Sequence, residues 1–268
     1  MNLLEVQHLS KTFARRGALM RQQVPPAPAV DDVSFTIREG ECLGVVGESG
    51  AGKSTLGRLV LRLIEPDKGA VLLAGTDVRS LKRRELRASR EHMQMVFQDP
   101  YSSLDPRMTI RACVAEPLRA HTQMPRMERD RRAAELIETV GLSSRYLERY
   151  PAELSGGQLQ RVSIARAIAL KPKLIVCDEP VTALDVSVRA QIINLLQDLR
   201  AEFNLTYLFV SHDLALVEII ADRVLVMRHG RVVETATAAS LFADPQDPYT
   251  RELLNATPNP VPPRRGRK

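Results

Sequence analysis

The chain has 268 residues, 44% of them apolar and 26% charged, the composition of a globular protein with room for one large α/β domain or two modest ones. No apolar run approaches the roughly 18 residues of a membrane span, and the opening MNLLEVQHLSK lacks the basic and then apolar regions of a secretory signal, so the chain is expected in the cytosol, serving a membrane only through partners. Four of the cations behind the net charge of +6 are Arg264, Arg265, Arg267 and Lys268, and the surplus of about +2 that remains marks no nucleic-acid groove.

Residues 3–9 and 33–37 alternate apolar and polar in the manner of strands. The Arg/Pro-rich stretch ARRGALMRQQVPPAPAV between them reads as an exposed loop. ECLGVV (41–46) predicts a buried strand, followed by a glycine-rich turn and an apolar-periodic helix over 53–64. VLLAG (71–75) is another strand, a basic helix covers about 82–90, and MQMVF (93–97) is again a strand. From about 99 to 165 the pattern is mostly helical. LIVC (174–177) and TYLFVS (206–211) are continuous apolar strands of the kind a parallel sheet buries on both faces. Helices at about 186–202 and 213–221 follow them, and VLVMRHGRVVE (224–234) predicts a hairpin with His229-Gly230 at its turn. Strands alternating with helices on both sides of a helical insert indicate an α/β core with a helical subdomain. The Pro- and Arg-rich end from about 258 reads as a disordered basic tail. Cys42, Cys113 and Cys177 are too scattered for a metal cluster or a disulfide framework, and Cys42 and Cys177 sit in apolar strands as small hydrophobes.

The stretch GESGAGKST (47–55) follows a predicted strand, opens a predicted helix and fits G-x-x-x-x-G-K-[ST], the phosphate loop. Gly47, Gly50 and Gly52 allow the tight turn that aims successive N–H groups of Glu48, Ser49, Ala51 and their neighbours at phosphate oxygens. The helix N-terminus adds partial positive charge. Lys53 can reach the β and γ phosphates, the Ser54 hydroxyl can ligate Mg²⁺, and Thr55 closes the motif. LIVCDEP (174–180) places two acids at the C-terminal end of a buried strand, where α/β sheets bind ligands. Asp178 is positioned to hold the magnesium through water, and Glu179 is the candidate general base for an attacking water. Gln98, after the strand MQMVF, can bind Mg²⁺ and sense the γ phosphate. His212, after TYLFVS, can contact the γ phosphate or orient the water. Phe13, at a strand end, is a candidate for stacking on adenine.

LSGGQLQR (154–161) carries a second unusual helix start. Ser155 and Gln158 have the S-x-x-Q spacing of a capping box, and Leu154 and Leu159 can close the hydrophobic staple. Gly156 and Gly157 then stand where each costs a helix about 1 kcal/mol relative to alanine. A helix start stripped of side chains suits an anion.

With GESGAGKST, Gln98, LSGGQLQR, LIVCDEP, the ALD of 183–185 and His212 in this order, the sequence resembles the nucleotide-binding subunit of ATP-binding-cassette (ABC) transporters over about residues 3–255. The resemblance implies one cassette over 1–257: a P-loop NTPase core with a mainly parallel sheet, an N-terminal antiparallel β-subdomain and a helical subdomain at about 99–165. It implies ATP and Mg²⁺ as ligands, ATP hydrolysis, and a head-to-tail dimer in which Ser155, Gly156, Gly157 and Gln158 serve the partner's nucleotide. Asp185 resembles the residue that couples the two sites. VFQDPYSSLDPRMT (96–109) and LFADPQDPYTRELLNATP (241–258) look like the peptide/nickel importer cassettes, although Asp247 stands where those have His. The sequence lacks the cysteine-rich segment that some of those cassettes carry, so no iron–sulfur cluster is expected. That subfamily implies a second cassette as partner, identical or more often different, two permeases, a substrate-binding protein outside, a place on the cytoplasmic face of the inner membrane, and a permease contact over 99–110. The other readings are an accessory ATPase of a soluble phosphonate-degradation complex and a cassette acting on DNA or ribosomes; the short insert between Gln98 and Ser155 and the single cassette speak against the last two. Peptide against nickel is not legible in a subunit that does not touch the cargo.

Overall fold

The computed structural model describes residues 2–13 and 27–256. Most of the Arg/Pro-rich loop and all of the basic tail from 258 lie outside the described residues. The strands are β1 (Asn2–Lys11), β2 (Val30–Arg38), β3 (Cys42–Val46), β4 (Lys68–Leu73), β5 (Thr76–Asp77), β6 (Met93–Val96), β7 (Leu174–Asp178), β8 (Thr206–Val210), β9 (Arg223–Arg228) and β10 (Arg231–Thr237). Four of them form an antiparallel sheet in the order β2-β1-β4-β5, and six form the main sheet in the order β10-β9-β3-β8-β7-β6. The five strands β9-β3-β8-β7-β6 are parallel, with β10 added antiparallel beside β9 at one edge.

Every residue of β3, β7 and β8 is buried, as their continuous apolar runs require of a sheet covered on both faces. Alternation assigns the faces. Leu43, Val45, Leu174, Val176, Leu208 and Val210 pack with α1 (Lys53–Val60) and the antiparallel sheet. Cys42, Val46, Ile175, Cys177, Tyr207 and Phe209 pack with the helical insert and with α7 (Val186–Phe203) and α8 (Leu214–Ile220). Each such side chain, fully buried, contributes about 1.5–3 kcal/mol. Burial also pushes the Cys42 and Cys177 thiols well up and the Cys113 thiol to about 11, which keeps all three protonated and inert as hydrophobes.

The basic helix expected over 82–90 forms as α2 (Arg83–Ser89), and between β6 and β7 lies the helical insert: the single turn α3 (Pro100–Ser103), α4 (Ile110–His121), α5 (Arg126–Thr139) and α6 (Gly156–Ile168). The expected hairpin forms, with His229 and Gly230 both at positive φ, the signature of a two-residue type I′ turn. Three local features differ from the sequence expectation. The helix expected over 53–64 ends at Val60, because Arg62 takes the left-handed conformation. Ala74 and Gly75, read as strand, are instead the turn between β4 and β5, again both at positive φ. Two helices close the described chain, α9 (Ala238–Ala243) and α10 (Pro248–Asn255), where only a motif stood out in the sequence.

Candidate active site

Parallel strands end on the same edge of a sheet, so the residues that follow β3, β8, β7 and β6 are neighbours in space. The glycine-rich loop leaves β3 at Gly47, His212 follows β8, Glu179 directly follows β7, and Gln98 follows β6. The register brings these strand ends together, with Val45 beside Val210, Val210 beside Asp178, and Cys177 beside Val96. Above this edge opens a cleft of about 500 Å³. Ser49, Gly50, Gly52, Lys53, Ser54 and Thr55 line it from one side, Gln98, Glu179, Thr182 and His212 from the other.

The loop is shaped by its backbone and its neighbours. Gly47, Gly50 and Gly52 all have positive φ, a region that side-chain-bearing residues enter at a cost. A methyl group at Gly52 would lie 2.1 Å from the Ala29 carbonyl oxygen, and one at Gly47 would lie 2.2 Å from that of Met227. At Gly50 there is open space, so that glycine answers to conformation alone. The hairpin turn supports the loop from behind: the Gly230 N–H donates to the Ala51 carbonyl at 3.0 Å.

Lys53 is buried, its ammonium donating to the carbonyls of Gly47 (2.8 Å) and Glu48 (2.9 Å). Desolvation lowers its pKa, and the charges of Glu179 and Asp178 work in the opposite direction. Asp178 is 1% exposed. Burial pushes its carboxyl up, against the hydrogen bond donated by the Ser54 hydroxyl at 2.6 Å and the Arg58 guanidinium 3.8 Å away. A buried carboxylate held beside a hydroxyl is an unfavourable arrangement for the isolated chain. It is also the hard-oxygen donor set that a small divalent cation takes alongside phosphate.

Glu179 is the hub of the opposite wall. One oxygen, Oε2, meets the Gln98 amide at 3.1 Å, the Thr182 hydroxyl at 3.1 Å and His212 Nδ1 at 3.2 Å. Its backbone is left-handed, φ 49°, a conformation that costs a non-glycine residue about 1–2 kcal/mol. The Glu179 N–H donates to the Val210 carbonyl at 2.9 Å, so pairing with β8 holds the strained residue in place. Thr182 did not stand out in the sequence; its only signal is its position three residues beyond Glu179, within the turn that leads to ALD.

Of the residues expected at the nucleotide, Asp178, Gly47, Glu48, Ala51 and Phe13 lie outside the cleft lining. Gly47, Glu48 and Ala51 form the outer side of the loop, and the Glu48 N–H is used by the Tyr249 hydroxyl at 3.1 Å. Phe13, two residues beyond the end of β1, is about half exposed, its ring 5.7 Å from the Lys11 ammonium. The second glycine-bearing helix start forms as the spacing predicts. The Ser155 N–H donates to Gln158 Oε1 at 2.9 Å and the Gln158 N–H to Ser155 Oγ at 3.4 Å, while Leu154 and Leu159 are buried together in the core. It packs beside the first turn of α7 and the turn that precedes it: a methyl at Gly157 would lie 2.6 Å from Val188 Cγ1, and one at Gly156 3.4 Å from Leu184. Asp185, exposed at the start of α7, adjoins this contact. Arg189, also missed in the sequence, braces the same turn by donating to the carbonyls of Leu184 (2.7 Å) and Thr182 (3.3 Å).

A phosphate loop closing on a buried lysine, facing acids at the end of the neighbouring strands, defines a nucleoside-triphosphate hydrolase of the P-loop type. The family profile described as "ABC transporter" matches residues 30–182. The chain is 53% identical over 262 residues to the probable peptide ABC transporter ATP-binding protein y4tS of Sinorhizobium fredii, covering 98% of this chain and 74% of that one. It is 49% identical over 257 residues to the oligopeptide transport ATP-binding protein AppF of Bacillus subtilis, covering 96% and 78%. Among solved structures it resembles the dimeric post-hydrolysis state of the ATP-binding cassette MJ0796 bound to ADP and Pi, with a TM-score of 0.77 and 30% identity over 88% of this chain and 98% of that one. The chain belongs to the ABC transporter family, and it is an ATP-binding, ATP-hydrolysing cassette of that family.

Proposed function

We propose that this cassette powers a membrane importer of peptides, working as half of a head-to-tail pair. The observation that carries the reading is the presence of two helix starts suited to anions, the glycine loop with Lys53 and the capped Ser155-Gly156-Gly157-Gln158, which do not share a cleft. A single chain uses one of them on its own nucleotide; the other has work only when a second cassette presents its nucleotide. Names of the relatives add the cargo class, since both curated proteins above are described as peptide or oligopeptide transport subunits.

In this reading Lys53 and the loop N–H groups bind the triphosphate, with Gly47, Glu48, Ser49, Gly50, Ala51, Gly52 and Thr55 forming and supporting the loop. Ser54, Asp178 and Gln98 would hold Mg²⁺, which would supply charge neutralisation to the phosphates. Glu179 takes the proton from water, with His212, Gln98 and Thr182 fixing its carboxylate. Phe13 stacks on the base, and Asp185 carries the state of one site to the other. Among the described residues no helix is long and apolar enough to cross a membrane, so import requires permease subunits, and the cassette sits on the cytoplasmic face of the inner membrane. A groove of about 250 Å³ between the core and the helical insert, with Leu61, Leu63, Met95 and Phe97 in its lining beside Arg90, Glu116 and His121, is the surface that fits a permease segment. The 99–110 stretch adjoins it through Arg166, which lines the groove and donates to the Ser103 carbonyl. Purification of the chain from membranes tests the assembly: two multi-span permeases and a second, different cassette are expected to accompany it. Recovery in a soluble lyase complex would overturn the transport reading.

A further inference from the structure

Across the glycine loop from the cleft stands a residue that no catalytic motif includes. Tyr249, on the first turn of α10, is 3% exposed, and its hydroxyl accepts from the Glu48 N–H at 3.1 Å across 201 residues of chain. That N–H belongs to the same peptide unit as the Gly47 carbonyl, which accepts from the Lys53 ammonium at 2.8 Å. In a planar trans peptide the N–H and C=O point in opposite directions. The Gly47–Glu48 peptide is therefore held from both sides, by Tyr249 behind and by Lys53 on the cleft side. Gly47 has no side chain to resist rotation of this unit, so the two hydrogen bonds set its orientation.

The support of Tyr249 is itself built. Its ring carries the Arg228 guanidinium 4.6 Å from the centroid, close enough for a cation–π contact. Its N–H is capped by the Asp247 carboxylate at 2.8 Å. The N–H groups of Gln246 and Asp247 both donate to the Glu234 carboxylate of β10, at 2.9 and 3.0 Å. The start of α10 is thus fixed to the main sheet, and through Tyr249 to the loop. Asp247, the departure from the subfamily's pattern, serves here as the helix cap.

We infer that Tyr249 is a positioning residue of the nucleotide site: through the Gly47–Glu48 peptide it orients the carbonyl that anchors Lys53 and preorganises the phosphate loop. The inference rests on reading residues 47–55 as the nucleotide's phosphate site. An unclamped loop must be ordered when nucleotide binds, and that ordering weakens affinity without touching the chemical step.

Tyr249→Phe removes the hydroxyl and keeps the ring on which Arg228 lies. In the nucleotide-free full-length protein, exchange of the Glu48 amide is expected to accelerate about three- to tenfold, the equivalent of one net hydrogen bond, with amides of the main sheet unchanged. The dissociation constant for ATP with Mg²⁺ should rise by a similar factor, with kcat at saturating nucleotide changed by less than about twofold. Asp247→Ala should move both quantities in the same direction by uncapping α10, and Asp247→Asn should restore them, because Asn caps as well as Asp. Wild-type exchange at Glu48 in Tyr249→Phe would overturn the inference, as would acceleration spread evenly over the sheet or a loss confined to kcat. Failure of the wild-type chain to bind nucleotide would strike instead at the phosphate-site reading, while the exchange measurement still decides the clamp.

Discussion

Glu179 and Asp178 are adjacent acids with opposite surroundings, and those surroundings separate their roles. Glu179 meets three polar side chains at one oxygen beside the cleft, so Glu179→Gln keeps the size and the accepting oxygen and removes only the capacity to take a proton. Its expected effect is retained nucleotide binding with hydrolysis lowered about 10²–10⁴-fold, the usual contribution of a general base; a single-turnover assay with titrated nucleotide reads both. Asp178 is buried against Ser54 with its carboxyl pushed up by desolvation. A group whose pKa is raised on folding binds its proton more tightly in the native state, so the stability it contributes is lost as pH rises through that range. Asp178→Asn cannot ionise. It should melt about 2 °C or more above the nucleotide-free wild type near neutral pH, with the gap closing towards acid, yet hydrolyse no ATP. Thermal melts across pH check the sign: a lower melting temperature at neutral pH would mean that the Asp178 charge is stabilising.

The start of α6 has two explanations that act on different residues. Capping and stapling account for Ser155, Gln158, Leu154 and Leu159, and all four were legible from spacing alone because the partners lie within five residues. Gly157 was not, since its neighbour Val188 lies on α7, on the far side of β7 in sequence. Val is stiff at χ1, so Gly157→Ala should push α6 from α7 and lower stability despite the better helix propensity. Adding Val188→Ala should remove the clash and let the propensity gain of about 1 kcal/mol emerge. Denaturant midpoints of the two single variants and the double variant measure this coupling; additive effects would show that Gly157 does not answer to Val188. The same limit explains the other omissions. The Ala74-Gly75 turn hid inside an apolar run, Thr182 gave no signal beyond a polar position, and Tyr249 meets Glu48 only after the chain has built both sheets.

For the whole molecule, the order β9-β3-β8-β7-β6 explains why motifs scattered over more than 160 residues were readable as one site. Each lies just beyond the C-terminal end of a buried parallel strand, so recognising the strands was enough to bring Lys53, Gln98, Glu179 and His212 together. The second anion-suited helix start was legible as well, and its residues stand outside the cleft that Lys53 and Glu179 line. The cargo leaves no mark on a subunit that does not touch it, and comes from the company the relatives keep. Uptake of a labelled short peptide, with Ni²⁺ in parallel, by cells lacking this chain and supplied with either wild type or Glu179→Gln therefore tests the account most directly. Peptide uptake restored by the wild type alone, with nickel uptake indifferent to both, is the predicted result. Equal peptide uptake with and without the chain, or full rescue by Glu179→Gln, would contradict it.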